Sequence, residues 1–190
     1  MREVVELVPG EVALFGYGSL LLQASMERTL QREYARRRYV CSIRGWRRTW
    51  DSLYPNDRYY FLQADGKRCY PANIVYLNIA PCEGRLNGVL YIVSEQELAG
   101  FDRREVYYSR VDITPQLTDV EVKGGRAFVY VGKPEFTLGH PATVGHAAIR
   151  RSYVDIVDRG LQELGPAFRE AYLQSTGELP AGCIIDDRMD

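Results

Sequence analysis

Val12-Ala13-Leu14-Phe15-Gly16-Tyr17-Gly18-Ser19-Leu20 sets an apolar run directly against two glycines and a serine. An apolar run that stops at a glycine reads as a short buried strand. Glycine is the usual residue where backbone must turn sharply or come close to a ligand. A strand feeding such a loop turns N–H groups outward, where they can hold an anionic or carbonyl-like group. Read alone, the loop serves equally as a tight turn, a phosphate cradle or a substrate-holding loop. The dinucleotide fingerprint would need a third glycine and a helix at once, and a P-loop would need Gly-Lys-Ser/Thr; neither follows. Ser19 has no Gly-x-Ser-x-Gly elbow and no triad context, which argues against a nucleophile.

Working outward from this loop, short strand-like runs dominate the first two-thirds of the chain. Residues 39–50 mix β-branched, aromatic and arginine residues, while 73–79 and 87–93 are rich in Val, Ile, Tyr and Leu. Residues 107–113 alternate in strand fashion. Gly124-Gly125 suits the two-residue turn of a hairpin over 120–131. Pro9-Gly10, Tyr54-Pro55-Asn56-Asp57 and Ala80-Pro81-Cys82-Glu83-Gly84 read as the loops between strands. Ser25 is placed to cap a helix over 26–34. Ser94 with Glu97 forms a capping box that opens a helix running towards Arg104. Ile149, Tyr153, Ile156, Val157, Leu161 and Leu164 recur at helical spacing, predicting a helix over 143–165. Pro166 suits the first position of another helix through Leu173. The pattern predicts a single α+β domain, about six strands in a small mixed β-barrel with flanking helices, and a helical C-terminal extension over 143–190.

The chain has 190 residues, 46% hydrophobic and 26% charged, with a formal net charge of −1. That length can bury a sizeable core, and that charge gives no field favouring nucleic acid or an anionic membrane. Arg36-Arg37-Arg38 and Arg44-x-x-Arg47-Arg48 are therefore read as arginines on the outer face of a strand, pairing with acids rather than phosphates. The four cysteines form no C-x-x-C pair, and His140 and His146 stand at no zinc spacing, so no metal site is expected and neither histidine is given a role. The N-terminus lacks a signal-peptide pattern and no apolar stretch approaches the ~18 residues of a membrane helix, so a cytoplasmic protein with reduced thiols is expected.

Phe101-Asp102-Arg103-Arg104-Glu105 offers a carboxylate at the seam between the capped helix and the following strand. An exposed glutamate paired with Arg103 or Arg104 is one reading. The other uses the aromatic neighbours Phe101, Tyr107 and Tyr108: partial desolvation raises a carboxyl pKa and suits a general base near neutrality.

Taken in order, Tyr17-Gly18-Ser19-Leu20, Arg44-Gly45-Trp46, Asn87-Gly88-Val89-Leu90-Tyr91, Phe101-Asp102-x-x-Glu105 and Tyr108-x-Arg110 resemble the γ-glutamylcyclotransferase family over roughly residues 12–131. The Asp-x-Arg-Glu form of the acidic motif is similar to the ChaC-like branch. The resemblance implies a small β-barrel with flanking helices and an enzyme that releases 5-oxoproline from a γ-glutamyl peptide or amine. In that scheme Tyr17, Gly18, Ser19 and Leu20 receive the γ-glutamyl group and Glu105 is the acid/base. It needs no cofactor, and Tyr108 and Arg110 are further candidates for the pocket. A non-catalytic domain binding an amino-acid-like ligand in the same pocket is the alternative, and homodimerisation is left open. The chain departs from the family pattern at Val106, where glycine is common, and in its tail beyond residue 143.

Overall fold

The computed structural model describes residues 2–139, 146–179 and 183–190. In chain order the elements begin with β1 (Glu3–Glu6), β2 (Glu11–Gly16), α1 (Gln23–Leu30) and β3 (Tyr39–Pro55). Then follow β4 (Tyr59–Leu62), β5 (Arg68–Cys69), β6 (Asn73–Ser94), α2 (Glu95–Arg104) and β7 (Tyr108–Asp112). The remainder comprises β8 (Val120–Lys123), β9 (Ala127–Gly132), β10 (Ala147–Arg150), α3 (Arg151–Leu164), α4 (Pro166–Gln174), β11 (Ile184–Ile185) and β12 (Arg188–Met189). The fold is α+β: a mixed seven-stranded sheet in the order β11-β10-β6-β2-β9-β7, with β3 also paired to β6, flanked by helices. Isolated bridges Ile43–Leu117 and Ser52–Thr137 carry β3 to the segments after β7 and β9, so the sheet curls back on itself.

β2 lies between β6 and β9, antiparallel to the first and parallel to the second. A central strand covered on both faces should be apolar throughout rather than alternating, and Val12, Ala13, Leu14 and Phe15 are all buried. The facing half of β6, Val89 to Val93, is buried with them. α2 starts as expected: Ser94 Oγ accepts from Glu97 N–H at 3.1 Å, and Glu97 Oε2 accepts from Ser94 N–H at 2.8 Å. Its Leu98 and Phe101 reach the core, each worth about 1.5–3 kcal/mol of burial.

Four expectations change. Residues 73–79 and 87–93 belong to one continuous strand, β6. Its supposed loop survives only as a bulge, with Cys82-Glu83-Gly84 opposite Gly45, whose φ of 88° belongs to the left-handed region. Residues 120–131 are no hairpin: β8 pairs in parallel with β1, and β9 with β2 and β7. Gly124, at φ 81°, still makes the turn, but packs it against Leu7 instead of closing two neighbouring strands. Ser25 is not a cap, because a 3₁₀ turn over Ser19–Leu21 runs straight into α1 and puts Leu22 at the cap position. Finally, α3 begins at Arg151. Ile149, which fits the helical spacing, lies instead in β10, fully buried against Leu53 and Val75; residues 143–145 lie outside the described residues. The rest of the spacing holds, with Tyr153, Val157 and Leu161 facing the core. Gly160 brings α3 onto the loop, since a Cβ there would lie 2.8 Å from Leu22 N.

Candidate active site

A cavity of about 300 Å³ opens where β2 ends, walled by the loop Gly16 to Leu20, the end of α2 and the aromatic faces of β3, β6, β7, β9 and α3. Six of the fourteen tyrosines line it: Tyr17, Tyr54, Tyr76, Tyr108, Tyr130 and Tyr153. Such a volume, apolar with a few convergent polar groups, suits a ligand of amino-acid to dipeptide size.

The loop is fixed from several sides. Tyr17 Oη donates to Tyr130 O at 2.9 Å, Tyr91 Oη donates to Leu20 O at 2.8 Å, and the Tyr17 carbonyl accepts from Arg48 Nε at 2.8 Å. The turn's first internal bond is Leu21 N–H to Gly18 O at 3.0 Å. The N–H groups of Gly18, Ser19 and Leu20 therefore precede its ladder and remain for other acceptors. Gly18 passes close under α3, where a Cβ would lie 3.0 Å from Tyr153 Oη. At Gly16 a Cβ would lie 2.7 Å from Leu20 Cβ. Gly16→Ala is thus expected to lose about 1–3 kcal/mol of stability, as overpacking does. A urea midpoint equal to wild type would show that the loop is not built around this contact.

Glu105 stands at the C-cap of α2, its N–H bonded to Phe101 O and its carbonyl accepting from Tyr108 N–H. The side chain is only 14% exposed, so the pairing with Arg104, Nε to Oε1 at 3.1 Å, is not the solvated surface pair considered from sequence. Tyr54 Oη donates to Oε2 over a long 3.4 Å. Burial pushes the carboxyl above the usual range, while the Arg104 charge and the Tyr54 hydroxyl pull the other way and lose. The carboxylate so held faces the same cavity as the loop and is a stronger proton acceptor than an ordinary glutamate.

Arg104 joins the two halves. Besides Glu105, its guanidinium donates to Ser19 Oγ at 2.8 Å and Thr29 Oγ1 at 2.6 Å. Ser19 is thereby a tethered loop residue. From the sequence Arg104 is only a surface partner for Glu105; its place one residue before the carboxylate was the available signal.

Arg48 corrects the reading of outward arginines. Arg44 and Arg47 are exposed, but Arg48 is 0% exposed, stacked 4.1 Å over the Tyr172 ring. Strand alternation puts Arg47 and Arg48 on opposite faces, but the sequence alone does not say which of the two faces is covered. Tyr108 does line the cavity, its hydroxyl donating to Leu77 O at 2.7 Å. Arg110 does not: it points outward to Asp102 at 2.7 Å and over the Phe128 ring. His146 lines a separate cavity, and His140 is outside the described residues. Among the described residues no cluster of His, Cys, Asp and Glu could hold a metal, and no helix is long and apolar enough to cross a membrane.

Among solved structures, the fold resembles a protein titled gamma-glutamyl cyclotransferase at 12% identity and TM-score 0.57, covering 93% of this chain and 94% of that one. An uncharacterised protein from Homo sapiens gives 15% identity and TM-score 0.53 over 93% and 95% of the two chains. YkqA from Bacillus subtilis gives 17% and 0.53, over 90% of this chain and 56% of that one. No curated protein sequence matches significantly. These identities establish likeness of fold alone. The sequence pattern of the family described as gamma-glutamyl cyclotransferase, AIG2-like, matches residues 14–147, which include the glycine loop, Arg48, Arg104 and Glu105. The chain belongs to the AIG2-like gamma-glutamyl cyclotransferase family.

Proposed function

We propose that this protein is a γ-glutamyl cyclotransferase, releasing 5-oxoproline from a γ-glutamyl peptide or amine. The observation that carries the reading is the placement of a largely buried carboxylate, raised in pKa, on the same small cavity as a glycine loop whose first N–H groups precede the bonds of its 3₁₀ turn. Family membership and the neighbour titled as such an enzyme support it.

The chemistry balances within the substrate. The free α-amine attacks its own γ-carbonyl, forming the ring C–N bond. Glu105 takes one proton from that nitrogen and returns it to the nitrogen that departs as the scissile C–N bond breaks. No water enters. The N–H groups of Gly18, Ser19 and Leu20 would meet the oxyanion of the tetrahedral intermediate, as donors aimed at developing charge do. Tyr17 and Leu20 hold that loop to the core. Enclosure among tyrosines favours the folded glutamyl chain, and well-oriented intramolecular reactions gain effective molarities of ~10⁵ M or more.

Incubation of purified protein with glutathione, γ-glutamyl dipeptides and γ-glutamyl amines, followed by assay of 5-oxoproline, is the direct test. Formation from none of them would overturn the reading. Arg104→Met gives a second check with a definite sign. Its charge holds the Glu105 pKa down, so removing it should move the acid limb of the kcat/KM profile to higher pH. A limb that stays in place, or moves lower, would count against Glu105 as the base.

A further inference from the structure

Of the two cavity cations that this chemistry leaves without a task, Arg28 is exposed and Arg150 is the enclosed one. It ends β10, beyond the segment that matches the family, and lines the cavity with its side chain 14% exposed. Its guanidinium lies 3.9 Å from the Tyr59 ring centre and 5.6 Å from that of Tyr76. Ring stacking of this kind fixes a guanidinium's plane and leaves its in-plane donors for a carboxylate. Asp187 anchors it only at 3.7 Å, and both oxygens of that carboxylate already accept from Ser152, at 2.9 Å from N–H and 2.6 Å from O–H. The charge is held in place without being fully answered.

What stands between it and Glu105 decides what it could read. Between them stands a wall of two tyrosines: Tyr54 reaches Glu105, and its ring packs 4.5 Å from that of Tyr76, which neighbours Arg150. The α-carboxylate of a γ-glutamyl group is bonded to the carbon bearing the attacking amine, so it stays beside Glu105 and the loop. With the γ-glutamyl group held against Glu105 and the loop, a carboxylate on the departing amine would lie on the far side of the scissile bond, towards Arg150. The charges agree, since the lining holds Arg28, Arg104 and Arg150 against the single carboxylate of Glu105. A γ-glutamyl amino acid carries net negative charge and fits that field; a γ-glutamyl diamine does not.

We infer that Arg150 binds the carboxylate of the leaving group, so that the preferred substrates are γ-glutamyl amino acids or peptides rather than γ-glutamyl amines. This assignment rests on the cyclotransferase reading, and the test separates the two. γ-Glutamylalanine and its C-terminal amide differ only in that carboxylate. Wild type should favour the acid by about tenfold to a hundredfold in kcat/KM, the range of a charge-assisted contact. Arg150→Met should lose that margin on the acid and leave the amide almost unchanged, with Arg150→Lys recovering part of it. Equal use of both compounds by wild type would overturn the assignment. So would an equal loss on both in Arg150→Met, which is what a purely structural role, or contact with the α-carboxylate, gives. Calorimetric binding of the same pair to both proteins is measured alongside. Absence of 5-oxoproline from both compounds, and from glutathione and γ-glutamyl amines as well, would sink the cyclotransferase reading. The binding preference then decides Arg150 alone: retained in wild type and lost in Arg150→Met supports the carboxylate contact, and equal binding refutes it.

Discussion

Glu105→Gln should form 5-oxoproline at no more than about one hundredth of the wild-type rate, the lower end of what removal of a general base costs. Glutamine keeps the size, the place at the C-cap of α2 and an acceptor for Tyr54, but cannot take a proton from an ammonium. The loss should therefore fall on kcat, with substrate binding largely kept. A variant that turns over at the wild-type rate would remove Glu105 from the mechanism.

The same substitution has an opposite effect on stability. Desolvation outweighs Arg104 in setting the Glu105 pKa, so the folded protein holds this proton more tightly than the unfolded chain does. Stability then falls as pH rises from the ordinary carboxylate range through the raised folded value, and remains lower above it. Glutamine has no charge to desolvate. Glu105→Gln should melt higher than wild type at neutral and alkaline pH, with the gap closing under acid conditions where both side chains are neutral. Gain of stability with loss of rate is the pattern of a strained functional group. A variant that melts lower at neutral pH would mean that the Arg104 pairing outweighs the desolvation.

Much of this site is legible in the sequence because it sits on local features. The apolar run before Gly16 reads as a buried strand, and Ser94 with Glu97 marks where α2 starts and so places Glu105 near its end. Apart from Ser25, displaced as a cap by the 3₁₀ turn before α1, the misread elements share one cause, which is long-range pairing. Gly124 and Gly125 look like a hairpin turn because nothing local announces that β8 will pair with β1, on the far side of the chain. Proline and glycine at residues 80–84 look like a break because Gly45, which absorbs them as a bulge, is distant in sequence. Arg150 likewise reads as part of a helix over 143–165, yet it ends a strand that pairs with β6 and brings it to the cavity wall. Tyr54, Tyr76 and Tyr153 are unremarkable as single tyrosines; only the curl of the sheet gathers them.

Removal of Arg48 should cost the fold heavily. Its Nε donates to the Tyr17 carbonyl at 2.8 Å, one Nη to Ser175 Oγ at 2.8 Å, and the other to the Asn87 carbonyl and, at 3.2 Å, Asn87 Oδ1. Asn87 Nδ2 in turn donates to Phe168 O, and the Arg48 backbone pairs with Ser175 and Gly177. One side chain thus ties the glycine loop, β6 and α4 together. Burial without a carboxylate partner lowers its pKa to about 10, still fully charged at neutral pH, so its presence carries a desolvation cost. Arg48→Met removes that cost but leaves two buried backbone carbonyls unpaired, at about 1–3 kcal/mol each, while the Met stem still covers part of the Tyr172 ring. The unpaired carbonyls should win, for a net loss of about 2–4 kcal/mol, a large share of the 5–15 kcal/mol typical of a domain. Urea unfolding measures it, with Arg48→Lys expected between the two because it keeps the charge but not the planar fork. Because one of those carbonyls belongs to Tyr17, the folded fraction of Arg48→Met should also bind substrate more weakly, raising KM more than it lowers kcat. Wild-type stability in Arg48→Met would show instead that the buried charge costs as much as its bonds return, and that a KM effect, if it persists, is the reason the residue is there.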